Sequence, residues 1–170
     1  ASTTKLTNQN VILAVTFNKN AVEKEYSFDG KTYYKCSGTV SVAANGTVYF
    51  RSKAANGRYS EVAAYTVNNI DKTAPQLEIA ERTLAENGRS VTVTIVSDER
   101  VVIKEGGFAG EELDGRYFFT RTLTANGTYS FSFIDMTGIV SEISVQITEI
   151  VTEELSAEYS LSPNGASAVS

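Results

Sequence analysis

Apolar and polar residues alternate in short runs along much of the chain. Val91, Val93 and Ile95 alternate with Thr92, Thr94 and Val96; Tyr129, Phe131 and Phe133 with Ser130, Ser132 and Ile134; Ile143, Val145 and Ile147 with Ser144, Gln146 and Thr148. A period of two predicts strands that bury one face and wet the other. Between the runs stand Asp29-Gly30, Asn45-Gly46, Asn56-Gly57, Asn87-Gly88 and Asn126-Gly127. Asn and Gly tolerate the positive φ of tight hairpins, so these dipeptides are expected at turns. No stretch combines a helical period with capping residues.

The pattern repeats. Ala44-Asn45-Gly46-Thr47 recurs as Ala125-Asn126-Gly127-Thr128, 81 positions later. Phe50 and Phe131, Gly57 and Gly138, and the two Ser-Glu pairs (Ser60-Glu61 and Ser141-Glu142) keep that offset. Val11–Phe17 matches Val91–Ser97 at an offset of 80. Asp29-Gly30-Lys31 and Asp114-Gly115-Arg116 each precede an aromatic pair and are aligned as equivalents. A repeat of this length suits a small sandwich and is too long for a solenoid unit. The expected fold is therefore all-β, two tandem immunoglobulin-like Greek-key β-sandwiches. Residues 1–74 form the first and 75–152 the second, and 153–170 are a tail. The boundary is placed at Pro75, which cannot donate to a ladder and suits the start of an edge strand.

Composition narrows the chemistry. The chain has no histidine and one cysteine, Cys36. Ser-His-Asp and Cys-His sites are excluded, with histidine- or thiolate-ligated zinc and internal disulfides. Cys36 is expected to be a small strand residue rather than a reactive thiol. The net charge of −5 argues against nucleic acid as a partner. No apolar run approaches the roughly 18 residues of a membrane helix, so no membrane insertion is expected. No phosphate-binding glycine loop is present, and the expectation is no catalytic residue, no cofactor and no metal site.

Several segments resemble the bacterial immunoglobulin-like repeats of large surface and secreted proteins. They are Tyr26-Ser27-Phe28-Asp29-Gly30, Gly38-Thr39-Val40-Ser41-Val42, Asn45-Gly46-Thr47-Val48-Tyr49-Phe50-Arg51, Ser60-Glu61-Val62-Ala63 and Tyr65 to Pro75. The resemblance implies a non-catalytic stalk or adhesive module, located outside the cell or on its surface, whose partners are neighbouring repeats, identical subunits or a host glycan. The family's Asp-x-x-Gly-Asn turn is kept only in part. Asp135 and Gly138 are present with Ile139 for the Asn, whereas the first unit has Ala54 and Arg58 in the flanking places.

The two ends of the chain are out of phase with the repeat. Pro75-Gln76-Leu77-Glu78-Ile79-Ala80 precedes Val91 as a first strand, and its counterpart before Val11 would fall at or before residue 1. Beyond residue 152, Leu155, Ala157, Tyr159 and Leu161 alternate with Ser156, Glu158 and Ser160, and Asn164-Gly165 stands where a unit would have Asn87-Gly88. Two readings are open. The chain is a piece of a longer array, or the tail strand of one copy completes the first unit of the next. The latter is strand addition, which builds head-to-tail filaments. Charge favours such an encounter: residues 1–74 carry nine Lys/Arg against five Asp/Glu, while 153–170 carry only Glu153, Glu154 and Glu158.

Three other chemistries deserve a place. Tyr33, Tyr34, Tyr49, Tyr59 and Tyr65 make the first unit aromatic, and an exposed coplanar pair such as Tyr33 with Tyr59 would support carbohydrate binding. Glu111, Glu112 and Asp114 offer carboxylates of the kind glycosidases use, but in a Gly-flanked loop expected to be solvated. Asp71, Asp98 and Glu99 lie near the domain boundary and would suit a weakly held calcium ion. Asp135 is expected to be a turn-capping side chain.

Overall fold

The computed structural model describes residues 1–151. Leu155, Ala157, Tyr159 and Leu161 lie outside the described residues. The described chain is all-β and builds two sandwiches with separate cores. The first core gathers Val11, Leu13, Val40, Val42, Val48, Phe50, Val67 and Ile70. The second gathers Val91, Val93, Ile95, Leu123, Phe131, Phe133, Val145, Ile147 and Ile150. The alternating residues that predicted strands supply these buried faces. Ring packing strengthens the second core: Phe133 meets Phe119 at 5.3 Å and Phe108 at 6.1 Å between centroids.

Strands β1 (Val11–Ala14), β2 (Ala21–Ser27), β3 (Tyr34–Lys35), β4 (Thr39–Val42), β5 (Gly46–Ala54) and β6 (Ala63–Val67) form the first unit. Its sheets are β1-β4 and β3-β2-β5-β6. Strands β7 (Leu77–Leu84), β8 (Val91–Ser97), β9 (Val101–Ile103), β10 (Ala109–Leu113), β11 (Arg116–Leu123), β12 (Gly127–Asp135) and β13 (Val140–Ile147) form the second. Its sheets are β10-β11-β8-β7 and β13-β12-β9. All strand pairs are antiparallel. The strand order is that of an immunoglobulin-like Greek key.

The units differ in where the third segment goes. In the first, β3 pairs β2 and joins the β5 sheet. In the second, β10 pairs β11 and joins the β8 sheet. Asp29-Gly30 and Asp114-Gly115 are therefore not equivalent, contrary to the sequence alignment. Asp29-Gly30 follows β2, where Ser27 Oγ takes the Gly30 N–H at 2.9 Å and Asp29 Oδ1 takes those of Lys31 and Thr32 at 2.8 and 2.7 Å. The Thr32 and Lys31 N–H bonds, helped by Ser27, hold the Asp29 carboxyl far below its usual range. Asp114-Gly115 instead makes a two-residue hairpin between Leu113 and Arg116. Asp114 (φ 51°) and Gly115 (φ 75°) both take the left-handed conformation this turn needs.

Two Asn-Gly pairs do something other than close a hairpin. Gly46 and Gly127 open β5 and β12. The Asn before each reaches across the unit to the segment after its last strand. Asn45 takes the Ile70 N–H and gives to its C=O, both at 2.8 Å. Asn126 does the same with Ile150, at 2.9 and 2.8 Å. An amide side chain supplies a donor and an acceptor at once, so it satisfies both backbone groups of a buried residue where no strand can. Each isoleucine is thereby pinned into its core. Asn56-Gly57 and Asn87-Gly88 are turns as expected, with Gly57 N–H on Ala54 O and Gly88 N–H on Ala85 O. Gly138 N–H on Asp135 O repeats the Gly57 arrangement in the second unit.

Candidate functional site

Three places bear on function: the free edge of β1, a carboxylate cluster between the units, and a cationic-aromatic face.

The edge of β1 is best read against β8. In the second unit β7 covers the flank of β8 from Leu84↔Val91 to Leu77↔Ser97. In the first unit β1 pairs β4, from Val11↔Val42 to Ala14↔Thr39. Its opposite flank meets only Ser2, whose N–H donates to Ile12 O at 2.8 Å and whose Oγ takes the Ile12 N–H at 3.0 Å. Backbone groups alternate in direction along a strand, so Ala14 faces the same flank as Ile12. No described residue covers it there, and Ala14 is exposed. The consequence continues upstream of β2. Ile95 and Val96 are 0% and 1% exposed under β7, while their counterparts Val15 and Thr16 are half-buried and exposed. Free strand edges are where another chain adds.

The chain's first residues hand over to the far side of the unit beyond Ser2. Thr7 bonds Asn69 O and receives from Asp71 N, both at 2.9 Å, and Asn69 Nδ2 donates to Lys5 O at 2.7 Å. The same stretch then leads into the second unit. Asn8 Nδ2 donates to Thr137 O at 3.2 Å, and Ser141 Oγ to Pro75 O at 2.7 Å. Pro75 is buried, two residues ahead of β7 rather than at its first position.

Between the units, Asp71, Glu99 and Asp135 place carboxylate oxygens within 4.8 Å of one another. They come from the linker, the β8–β9 turn and the β12–β13 turn. Asp98 is not among them: its Oδ1 takes the Gln76 N–H at 2.8 Å. Asp135 is the turn cap expected from sequence, accepting from Thr137 N at 2.8 Å and Ile139 N at 2.7 Å. Burial pushes the Asp135 carboxyl up, but the bonds from Ile139 and Thr137 outweigh it and leave it below the usual value. Asp71 accepts from Thr73 Oγ1 at 2.6 Å. Glu99 is raised, first by burial and then by the charges of Asp71, Asp135 and Asp98. Three such oxygen donors suit a hard divalent ion in kind, although hydrogen bonds already claim both Asp135 oxygens.

That repulsion has a measurable result. The native state holds the Glu99 proton more tightly than the unfolded chain does. Stability therefore falls as pH rises from about 4.5, the model value, through the raised native value, and the penalty stays above it. Glu99→Gln, measured with a chelator present, is expected to raise the melting temperature at pH 7 by a few degrees, corresponding to about 1 kcal/mol or less. At pH 4 the two proteins should melt together. An equal gain at both pH values would contradict the charge account.

On the first unit's larger sheet, Tyr33 and Tyr59 do converge, but on Arg51. Its Cζ lies 3.6 Å from one ring centroid and 4.2 Å from the other. Glu25 Oε2 takes the Arg51 Nε–H at 2.6 Å, and Lys53 pairs with Glu23 at 3.1 Å. The rings spend a face each on the guanidinium and are not an open coplanar platform. Glu111 and Glu112 are neighbours on β10, opposite Phe118 and Tyr117, so they point to opposite faces of the sheet. With Asp114 in the turn, the three carboxylates do not gather around one point. Cys36 is buried, its N–H on Lys24 O at 2.7 Å.

No family model and no curated protein matches the chain. Among solved structures it is similar to one described as Clostridium thermocellum CbhA fibronectin(III)-like modules, at 12% identity and a TM-score of 0.31, over 91% of this chain and 94% of that one.

Proposed function

We propose that the chain is a non-catalytic structural module of an extracellular or cell-surface protein, whose copies join head to tail by strand addition. The tail segment 153–170 of one copy lies along β1 of the next. One observation carries the reading: the flank of β1 opposite β4 meets only Ser2, where the matching flank of β8 is covered through the length of β7. Main-chain bonds along such an edge supply affinity, and alternate side chains supply register. The opposite charges of the first unit and the tail aid the encounter, screened beyond about 8 Å at physiological salt.

The test is solution mass over a dilution series, with negative-stain imaging, for the full chain beside a 1–152 truncation. Polymers from the full chain and monomers from the truncation are expected. Monomers from both, at all concentrations, would refute strand addition and leave a passive spacer.

A further inference from the structure

The reading above leaves open how the incoming strand seats itself and what it must displace. We infer that the tail takes over the place of Ser2, with Ser160 opposite Ile12, and that the segment around Ser2 is an internal competitor for the acceptor edge. This inference rests on the strand-addition reading and adds a register and a regulator to it.

The register comes from the molecule's own filled example. Val91–Ser97 is Val11–Phe17 moved by 80 positions, so the partner of Thr92 on β7 marks the place opposite Ile12. That partner is Thr83. Ser2 stands there now, a small hydroxyl residue like Thr83, bonded to Ile12 through both its N–H and its Oγ. The tail aligns with β7 through Asn164-Gly165 and Asn87-Gly88, which sets Ser160 on Thr83 and Leu161 on Leu84. Leu161 then meets Val11, and Tyr159 meets Leu13. Directly opposed residues share a face, and Val11 and Leu13 both face the core. The apolar members of the tail's alternation therefore enter beside the core, and Ser160 and Glu158 turn outward beside exposed Ile12 and Ala14. A shift by one residue would reverse every one of these placements.

The same geometry makes Ser2 a competitor. Residues 5 to 7 are held against Asn69 and Asp71, so Ser2 is kept close to Ile12 whether or not a partner is present. An intramolecular segment held this way competes at a high effective concentration. It is also easily dislodged, because it makes two bonds at an exposed position, whereas a full strand would make a ladder.

Ser2→Pro removes both the N–H donor and the hydroxyl acceptor while leaving the Thr7 anchor intact. In the full chain it is expected to lower the concentration at which polymers appear by about tenfold, the equivalent of 1.4 kcal/mol. The same substitution in the 1–152 truncation should stay monomeric. If the full chain polymerises but Ser2→Pro leaves the onset unchanged or raises it, Ser2 does not compete and this inference falls while strand addition stands. If neither full-length protein polymerises, strand addition falls with it.

Discussion

Replacing Phe133 by alanine is expected to destabilise the second unit by about 3–5 kcal/mol and to leave the first unit's transition in place. Phe133 is fully buried, and its ring packs on those of Phe108 and Phe119. Truncation removes its transfer free energy and leaves a cavity that rings on either side cannot close. A domain of this size has only about 5–15 kcal/mol to lose. The two cores share no residue, so urea unfolding should split into two steps, one early and one unmoved. A single transition shifted as a whole would show that the units unfold as one body.

The second prediction concerns the asparagines. Asn126→Ala strips both partners from the backbone of Ile150, which is buried. An N–H and a C=O left without partners cost about 1–3 kcal/mol together with the lost bonds. Asn45→Ala should act alike on Ile70 in the first unit. Asn126→Asp keeps the acceptor for the Ile150 N–H but sets a carboxylate against its carbonyl, so it should fall on the damaging side as well. Chemical unfolding of the three variants measures this. Losses below half a kcal/mol would mean that water replaces the amide at no cost.

These asparagines also show where the sequence was legible and where it was not. The alternation of Val91, Val93 and Ile95 identified a strand and its buried face, because burial on one side of a pleat is written in a two-residue period. The repeat at 80 to 81 positions identified two units for the same reason. The Asn-Gly pairs look alike in sequence, yet two of them are hairpin turns and two are clamps. The difference lies in what stands across the unit, some 25 residues away along the chain. Likewise the alignment of Asp29-Gly30 with Asp114-Gly115 failed because it could not tell which sheet the third strand joins. That choice is made by tertiary pairing, and local turn chemistry is nearly silent about it.

The sites follow the same rule. Asp71 and Glu99 were suspected from their nearness to the boundary, but Asp98 was placed with them and instead bonds Gln76. Asp135 joins them because its turn folds back toward the linker, a contact no local pattern reports. Tyr33 and Tyr59 were rightly paired, but the cation between them came from β5 and removed them as a sugar platform. The open flank of β1 was anticipated by the repeat. Its occupation by Ser2 was not, since two bonds at one exposed residue leave no periodic trace.

The central claim is that β1 receives a strand, and amide hydrogen exchange tests it most directly. Ile12, Ala14 and Thr16 present their amides to the open flank, so in the 1–152 truncation the Ala14 and Thr16 amides should exchange quickly. In the full chain under assembling conditions both should slow together, while the amides of Leu13 and Val15, which face β4 and Gly38, should change little. Assembled chains with Ala14 and Thr16 still exchanging as fast as in the truncation would contradict strand addition at β1.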